Sequence, residues 1–340
     1  MNQHTIIAID LAKTVFQVCI CTPNMKVISN KKLKRSELTQ MIAQQAPSII
    51  AMEACYSSHY WARTFQAMGH DIRLIPAQHV KPFVRGNKND RNDALAIAEA
   101  SIRPNLRSVP VKSLAQQDIQ CLHRVRDRLI KNRTALSNQA RGLLSEYGIV
   151  FPLGYKALTT HLADIASNED NDLSDIIRYQ AHSWLEEFHD LSSRILRIEQ
   201  QLTQYCHANE DCMRLLSLPG IGLINATALY SAIGNASAFN HPRELAVWLG
   251  LTPQHYASGQ TQHMGGITKP GDRYLRKQLI HGARAALCRR RKKDDKLSLW
   301  ARQIAQRRGT CKAFVAYAQR IARLAWILLQ RKENYQPQPV

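Results

Sequence analysis

The 340-residue sequence lacks the long apolar run that a membrane-spanning helix requires. Its most apolar stretch, 314–329, is interrupted by Arg320 and Arg323, whereas a span needs about 18 consecutive apolar residues. The first ten residues also lack the basic start, apolar run and small-residue cleavage site of a signal peptide. These absences predict a cytoplasmic protein that has no membrane span.

Metal-binding spacings of cysteine and histidine are also missing. None of the eight cysteines forms a Cys-x-x-Cys pair, and none of the 13 histidines lies four residues from another beside a glutamate. A structural zinc site is built from such pairs. We therefore expect the cysteines to be reduced and mostly buried, and we assign no histidine to a metal.

Acidic residues are few, with 26 Asp and Glu against 46 Lys and Arg, so that the formal net charge is +20. Such a surplus predicts a polyanionic partner, most commonly a nucleic acid. The surplus is concentrated after position 270, where 18 Lys and Arg stand against 4 Asp and Glu. We expect this region, with its run Arg289, Arg290 and Arg291, to bind nucleic acid phosphates.

Positions 1–110 alternate apolar, β-branched runs with helical patterns. Strands are predicted near 5–9, 15–21, 26–33, 47–54 and 71–75, and helices near 36–45 and 57–68. Alternation of this kind predicts an α/β domain. The hairpin at its start makes the predicted sheet mixed, with parallel and antiparallel pairs.

Positions 111–210 are predicted to be helical. Two long helices, 113–147 and 174–206, suggest an antiparallel hairpin or a coiled-coil arm. One face of the second helix carries an apolar row that either packs within the chain or joins two chains, namely Leu191, Ile195, Ile198 and Leu202.

Positions 211–335 form a third predicted domain, mainly helical, with a glycine-rich stretch over 257–272. The predicted fold class is therefore α/β plus all-α. Its domains are 1–110, 111–210 and 211–335.

Four acids stand where they could share one site. Asp10 and Glu53 each follow an apolar run and so lie at the ends of buried strands. Asp90 and Asp93 begin a helical run, and their spacing of three places them on one helix face. An acid at a buried strand end loses its charge unless a cation or hydrogen bonds hold it.

Carboxylates are the preferred ligands of Mg²⁺. Four of them can hold two Mg²⁺ ions roughly 4 Å apart, which stabilise the attacking and leaving oxygens of a phosphodiester displacement. Each acid also has a simpler interpretation, since Asp10 fits a turn and Asp90 or Asp93 fits a helix N-cap. The joint pattern in a basic protein favours a metal site.

Four motifs along the chain resemble those of the insertion-sequence 110 and 1111 transposases. They are the opening Ile-Asp-Leu-Ala-Lys, Met-Glu-Ala-Cys, Lys-Asn-Asp-Arg-Asn-Asp-Ala and the later Leu-Pro-Gly-Ile-Gly. The resemblance spans nearly the whole chain. It implies an RNase H-like catalytic domain similar to the junction resolvase RuvC, a helical arm and a C-terminal transposase domain.

Residue by residue, the resemblance implies that Asp10, Glu53, Asp90 and Asp93 are the DEDD set of the family. These are the four acids that the spacing singles out. It also implies that Ser258 is a nucleophile, whereas the residues alone favour a turn for a serine that precedes glycine. Members of the family are guided by a bridge RNA, so the resemblance implies an RNA partner as well.

Several residues of the third domain are candidates for DNA contacts. Gly220 and Gly222 lie in a segment that resembles the hairpin of a helix-hairpin-helix, where backbone N–H groups approach a phosphate. An ordinary turn between helices explains them equally well. Lys269, Arg273 and Arg276 could contact phosphates, or could simply face solvent.

The function implied is cleavage and exchange of DNA strands during movement of an insertion sequence, with Mg²⁺ as cofactor. DNA of the element ends and of the target is the expected substrate. Because two duplexes must be held together, we expect a dimer or tetramer. Two alternatives stay open: a junction-resolving nuclease in which Ser258 is structural, and a nucleic-acid-binding protein without catalytic activity.

Overall fold

A computed structural model describes residues 5–87, 89–168, 172–259, 261–289 and 295–337. The chain divides into two compact units, Met1–Ser113 and Leu114–Val340. The predicted arm and the predicted third domain thus belong to one unit. The division of residues 111–335 into an arm and a third domain stays a prediction.

The first unit is built on a five-stranded sheet with the order β3-β2-β1-β4-β5. The strands are β1 (Ile6–Asp10), β2 (Val15–Cys21), β3 (Val27–Lys34), β4 (Ile49–Glu53) and β5 (Asp71–Ile75). β1 pairs antiparallel with β2 and parallel with β4. A mixed sheet of this kind is consistent with the RNase H-like fold that the sequence implies.

Helices cover both faces of this sheet. They are α1 (Arg35–Ala43), α2 (Ser58–Ala67), α3 (Ala77–Val80) and α4 (Asp90–Ser101), with a 3₁₀ turn at Lys81–Phe83. Leu38 of α1 and Trp61 of α2 pack on the face that includes Ile9. Ile97 of α4 packs on the opposite face, with Ala8 and Ala51. β1 and β4 are buried on both faces, which explains their unbroken apolar sequence.

The second unit begins with three helices that share one core, α5 (Leu114–Ser145), α6 (Tyr155–Ser167) and α7 (Asp175–Ala208). Ion pairing of Arg126 with Glu199 and a hydrogen bond from Arg133 to Ser192 show that α5 and α7 run antiparallel. α6 also packs against α7, so a two-stranded coiled coil is not confirmed.

The apolar row of α7 is buried inside this three-helix core. Leu191, Ile195, Ile198 and Leu202 are at most 9% exposed and contact residues of α5 and α6. The suggestion that this row joins two chains is therefore wrong. Its periodicity serves intramolecular packing.

The rest of the second unit is mainly helical. Its elements are α8 (Glu210–Leu216), α9 (Leu223–Ile233), α10 (Pro242–Trp248), β6 (Pro253–Ser258), β7 (Thr261–Ile267), α11 (Arg273–Arg289), α12 (Lys296–Arg308) and α13 (Thr310–Arg331). Tyr317 and Ile321 of α13 lie in a core that also includes Leu229 and Leu279. Within the described ranges, no helix is long and apolar enough to cross a membrane.

Candidate active site and nucleic-acid interface

Asp10 and Glu53 lie side by side at one end of the sheet. They end the neighbouring parallel strands β1 and β4, in which Ile9 pairs with Met52. Because side chains alternate along a strand, Asp10 shares a face with Ala8, and Glu53 shares that face with Ala51. This is the face that α4 covers.

Asp90 and Asp93 lie in the first turn of α4. Neither aspartate caps the helix, because the side chain of Asn89 accepts the N–H of Asn92 at 2.9 Å. The simpler interpretation of these aspartates as N-caps is therefore wrong. Neither carboxylate serves as the cap, and both lie at the start of the helix, where the helix dipole favours negative charge.

Two amide side chains tie the start of α4 to the sheet. Gln17, which is paired with Asp10 across β1 and β2, donates to Asn30 at 2.6 Å. Asn30 in turn donates to the backbone carbonyl of Arg91 at 3.0 Å. This chain of hydrogen bonds fixes the segment that carries Asp90 and Asp93. The sequence gives no signal for Gln17 or Asn30, since their roles depend on strand register.

The four acids act on one another electrostatically. Burial raises the pKa of Asp10 to about 6, and the negative charges of Asp93, Asp90 and Glu53 add to this effect. Burial also raises the pKa of Glu53, with Asp93 as the further cause. Repulsion of this kind requires that the carboxylates stand near one another. The charges of Asp93, Asp90 and Glu53 thus act on Asp10, which places the four acids within electrostatic range of one another.

A lysine that the sequence analysis missed pairs with one of these acids. Lys32 Nζ lies 2.9 Å from Asp90 Oδ2. Lys32 stands opposite Gln17, which stands opposite Asp10, so the three residues form a row across β3, β2 and β1. In the described part of the chain, no three His, Cys, Asp or Glu side chains stand close enough to hold an ion between them.

The donor chemistry of the acidic site fits a hard divalent cation. All four side chains offer carboxylate oxygens. Burial and the repulsion of the other three acids raise the pKa of Asp10, and a bound cation would oppose that shift. Cys55 lies nearby, and its thiol has a pKa raised to about 11 by burial and by the charges of Glu53 and Asp10. Cys55 therefore stays neutral and adds no charge to the site.

Ser258 lies in the second unit, at the end of an exposed two-stranded ribbon. It ends β6 and pairs with Thr261, the first residue of β7. Gly259 follows with a φ of +55°, a left-handed conformation suited to glycine. The sequence predicts only a glycine-rich stretch in this region, whereas the structure has two strands. Their exposed residues do not alternate between apolar and polar, so the usual signal of a strand is absent.

The root of this ribbon is tightly packed. A side chain at Gly250 or Gly271 would collide with the backbone of Pro270 or of Trp248, respectively. Arg276 donates from one nitrogen to the carbonyls of Leu249 and Pro270, at 3.0 and 2.7 Å. This arginine, expected to contact phosphate, thus holds the root together.

The two hairpin glycines differ in their surroundings. Gly220, at φ +94°, packs so closely on Gly282 of α11 that neither position has room for a side chain without a shift. Asn225 donates to the Gly220 carbonyl at 3.2 Å. A Cβ at Gly222 would meet no atom within 4 Å. Close helix packing accounts for Gly220, while Gly222 borders open space at the N-terminus of α9.

The remaining candidate phosphate ligands are exposed where the structure describes them. Lys269 and Arg273 are exposed beside the ribbon root, and Lys269 has a φ of +60°. Arg290 and Arg291 lie outside the described residues, and the side chain of Arg289 is not described.

Comparison with known proteins gives matches over nearly the full chain. Residues 7–149 match a transposase family named for the DEDD set and insertion sequence 110, and residues 212–298 match the transposase IS116/IS110/IS902 family. The chain is 41% identical to the transposase for insertion sequence element IS1111A of Coxiella burnetii, over 98% of this chain and 92% of that protein. It is 42% identical to a probable family 20 transposase of Pseudomonas aeruginosa, over 97% of this chain and 98% of that protein.

Proposed function

The chain belongs to the insertion-sequence 110/1111 family of transposases, and on that premise we propose that it cuts and rejoins DNA strands through an acidic site and a serine nucleophile. The observation that carries the proposal is that Asp10 and Glu53 end neighbouring parallel strands, while the charges of Asp90 and Asp93 act on Asp10. A lone acid is often structural. Two strand-terminal acids whose pKa values are raised by burial and by neighbouring carboxylates favour a cation-binding role.

In this proposal the four carboxylates bind a divalent cation, taken as Mg²⁺. The bound cation would supply positive charge to the oxygens of the phosphate under attack. Asp10 and Glu53 are held by rigid strands, and the hydrogen bonds of Gln17 and Asn30 keep Asp90 and Asp93 beside them. Lys32 offsets part of the negative charge until the cation binds.

Substitution of Asp10 by Asn tests the acidic site. We expect this variant to fold and to lose strand cleavage in Mg²⁺, because an amide is a poorer ligand for a hard cation. Asp71→Asn is a matched control, since Asp71 begins β5 and so lies at the opposite end of the sheet. Cleavage at the wild-type rate by the Asp10 variant would remove the acids from the mechanism.

Ser258 is proposed to attack a DNA phosphate. Its oxygen forms a bond to phosphorus while the bond from phosphorus to one DNA oxygen breaks, and that oxygen leaves as a hydroxyl after taking a proton. The phosphoserine link retains the energy of the phosphodiester, so a DNA hydroxyl can later displace the serine and reseal a strand. Exposure of Ser258 at the ribbon end leaves room for a phosphate.

A covalent adduct distinguishes this function from a junction-resolving nuclease. Labelled duplexes carrying the ends of the insertion element, incubated with the protein and then denatured, should yield a protein–DNA band. Ser258→Ala should abolish that band, while the exposed Ser237→Ala should preserve it. Cleavage by the Ser258 variant without an adduct would favour water as the nucleophile and the nuclease alternative.

An RNA guide is proposed because the resembled family uses one and because the net charge of +20 suits a polyanion. RNA transcribed from the same element should copurify with the protein. Sequencing that RNA and repeating the cleavage reaction after ribonuclease treatment tests this part. Copurified RNA of mixed, unrelated sequences, together with a cleavage rate that ribonuclease treatment does not change, would argue against a guide.

Self-association is proposed through the end of the helical pair α5–α7. Large apolar side chains are exposed there, with Val150 at 84% and Leu153 at 91%. Positions 143–190 carry nine Asp and Glu against two Lys and Arg. An acidic surface repels nucleic acid, so a protein surface, in this proposal that of a second copy, suits this patch better.

A further inference from the structure

We propose that His263 is the general base that takes the proton from Ser258, an assignment that rests on the proposed role of Ser258 as nucleophile. A serine hydroxyl is a weak nucleophile until a neighbouring group accepts its proton. Imidazole is the side chain that most often does so. The ribbon formed by β6 and β7 contains two histidines, His255 and His263. Its pairing register places them on opposite faces.

The register places His263 and Ser258 on one face of the ribbon. Ser258 pairs with Thr261, and Tyr256 pairs with His263. Directly opposed residues of antiparallel strands project to the same face, and residues two apart on one strand do so as well. His263 is therefore the diagonal neighbour of Ser258. The Cα atoms of diagonal neighbours on paired strands lie about 7–8 Å apart. An aromatic-sized side chain such as imidazole can span that distance.

The other candidates on the ribbon are less suited. His255 pairs with Met264, one position out of phase, and so projects to the opposite face. Tyr256 shares the face of Ser258, but its hydroxyl donates to Gln254 Oε1 at 2.9 Å. Thr261 offers a hydroxyl, which is a poor base. Of the described groups that face Ser258 across the ribbon, His263 is the one whose side chain commonly serves as a general base.

The charge pattern of the ribbon supports this role. Positions 253–268 contain no Asp, Glu, Lys or Arg. No carboxylate on the ribbon competes for the proton, and no cation there disfavours the protonated imidazole. Ser258 and His263 are both exposed, so a DNA strand can reach them together.

The proton balance follows in both directions. During cleavage the imidazole of His263 accepts the hydroxyl proton as the Ser258 oxygen bonds to phosphorus, and the departing DNA oxygen takes a proton from water. During rejoining a DNA hydroxyl attacks the phosphoserine and releases its proton to water. The Ser258 oxygen then leaves with the proton held by His263.

Adduct formation with labelled element-end duplexes and element RNA tests the assignment. His263→Gln should slow adduct formation by about 100-fold or more, the lower range for loss of a general base. The rise of the rate with pH through the neutral range should disappear, and imidazole added to His263→Ala should restore part of the rate. DNA affinity should not change. His255→Gln, on the opposite face, is the matched control and should keep the wild-type rate and pH profile.

The outcomes separate this inference from the proposed function. If Ser258→Ala still forms the adduct, the nucleophile itself is wrong. If Ser258→Ala abolishes the adduct while His263→Gln keeps the wild-type rate and pH profile, the nucleophile stands and the base is wrong. A slow His263→Ala variant that imidazole does not rescue, or that binds DNA weakly, would show a structural role and overturn the assignment.

Discussion

Asp10 is an acid whose surroundings disfavour its charge. Burial and three neighbouring carboxylates raise its pKa from 3.8 to about 6. The folded protein therefore binds this proton more tightly than the unfolded chain does. The resulting stabilisation is fully present below about pH 4 and is lost as the pH rises through about 6. Without a cation, ionised Asp10 weakens the fold at neutral pH.

Asp10→Asn should therefore stabilise the metal-free protein at pH 7.5. We expect a gain of about 1 kcal/mol, because the partial exposure of Asp10 screens much of the repulsion. At pH 4 the gain should vanish, since wild-type Asp10 is then protonated. Urea unfolding at the two pH values, with chelator present, measures the difference. Equal stabilities at pH 7.5 would show that the acids do not strain the fold.

The residues of the acidic site differ in whether the sequence alone predicts them. Asp10 and Glu53 could be predicted because each follows an apolar run, and a run of that kind identifies a buried strand and its end. Lys32, Gln17 and Asn30 could not. Their contacts depend on how β3 and β2 align and on where α4 docks, and no local pattern records either.

At the scale of elements, the contact between the hairpin and α11 is a clear test of packing. A Cβ at Gly282 would collide with the Gly220 carbonyl oxygen and lie 2.6 Å from Asn225 Nδ2. Gly282→Ala should reduce the free energy of unfolding by about 3 kcal/mol, as overpacking of a rigid contact does.

The neighbouring Gly222→Ala provides the control. Open space surrounds this position, so its cost should stay below about 1 kcal/mol, the loss of a glycine N-cap. Thermal unfolding of both variants measures the contrast. Similar melting temperatures would mean that α11 can shift away from the hairpin at little cost.

Elements differ in how well sequence predicts them. The strands of the sheet and the long helices follow from apolar periodicity, and β5 was predicted with the bounds that the structure has; the strand order was not predicted. The row on α7 was read correctly as a helix face, but periodicity alone does not say what covers that face. α6 supplies part of the cover. The strands of the ribbon were not predicted because neither face of the ribbon is buried. Its sequence therefore lacks the alternation of apolar and polar residues that marks a half-buried strand.

At the scale of the whole molecule, the exposed apolar patch near Val150 and Leu153 should control assembly. Val150→Asp with Leu153→Asp places charge on side chains that are already exposed, so the fold should survive. We expect the assembly to dissociate to monomers in light scattering. As a control, Leu196→Asp alters an exposed leucine of α7 outside the patch and should leave the mass unchanged. A wild-type monomer, or an oligomeric double variant, would argue against this contact.

The basic region after position 270 should dominate the salt dependence of DNA binding. Replacement of Arg289, Arg290 and Arg291 by Ala should reduce the slope of log affinity against log salt by about 2 to 3, if each arginine releases a counterion. Lys156→Ala with Arg178→Ala removes charge from the acidic segment and should not alter the slope. An unchanged slope in the triple variant would show that these arginines do not contact phosphate.

The length of α5 has a geometric consequence. Its 32 residues span about 48 Å, and each added residue would advance the helix by about 1.5 Å and turn it by about 100°. The direction in which the apolar patch faces therefore depends on the number of residues in the helix. Insertion of seven residues in both α5 and α7 nearly restores the helical phase, whereas insertion of two turns the patch away. An insertion of about three turns, eleven residues, restores the phase equally well, so the patch keeps its direction when both helices lengthen by about two or about three turns.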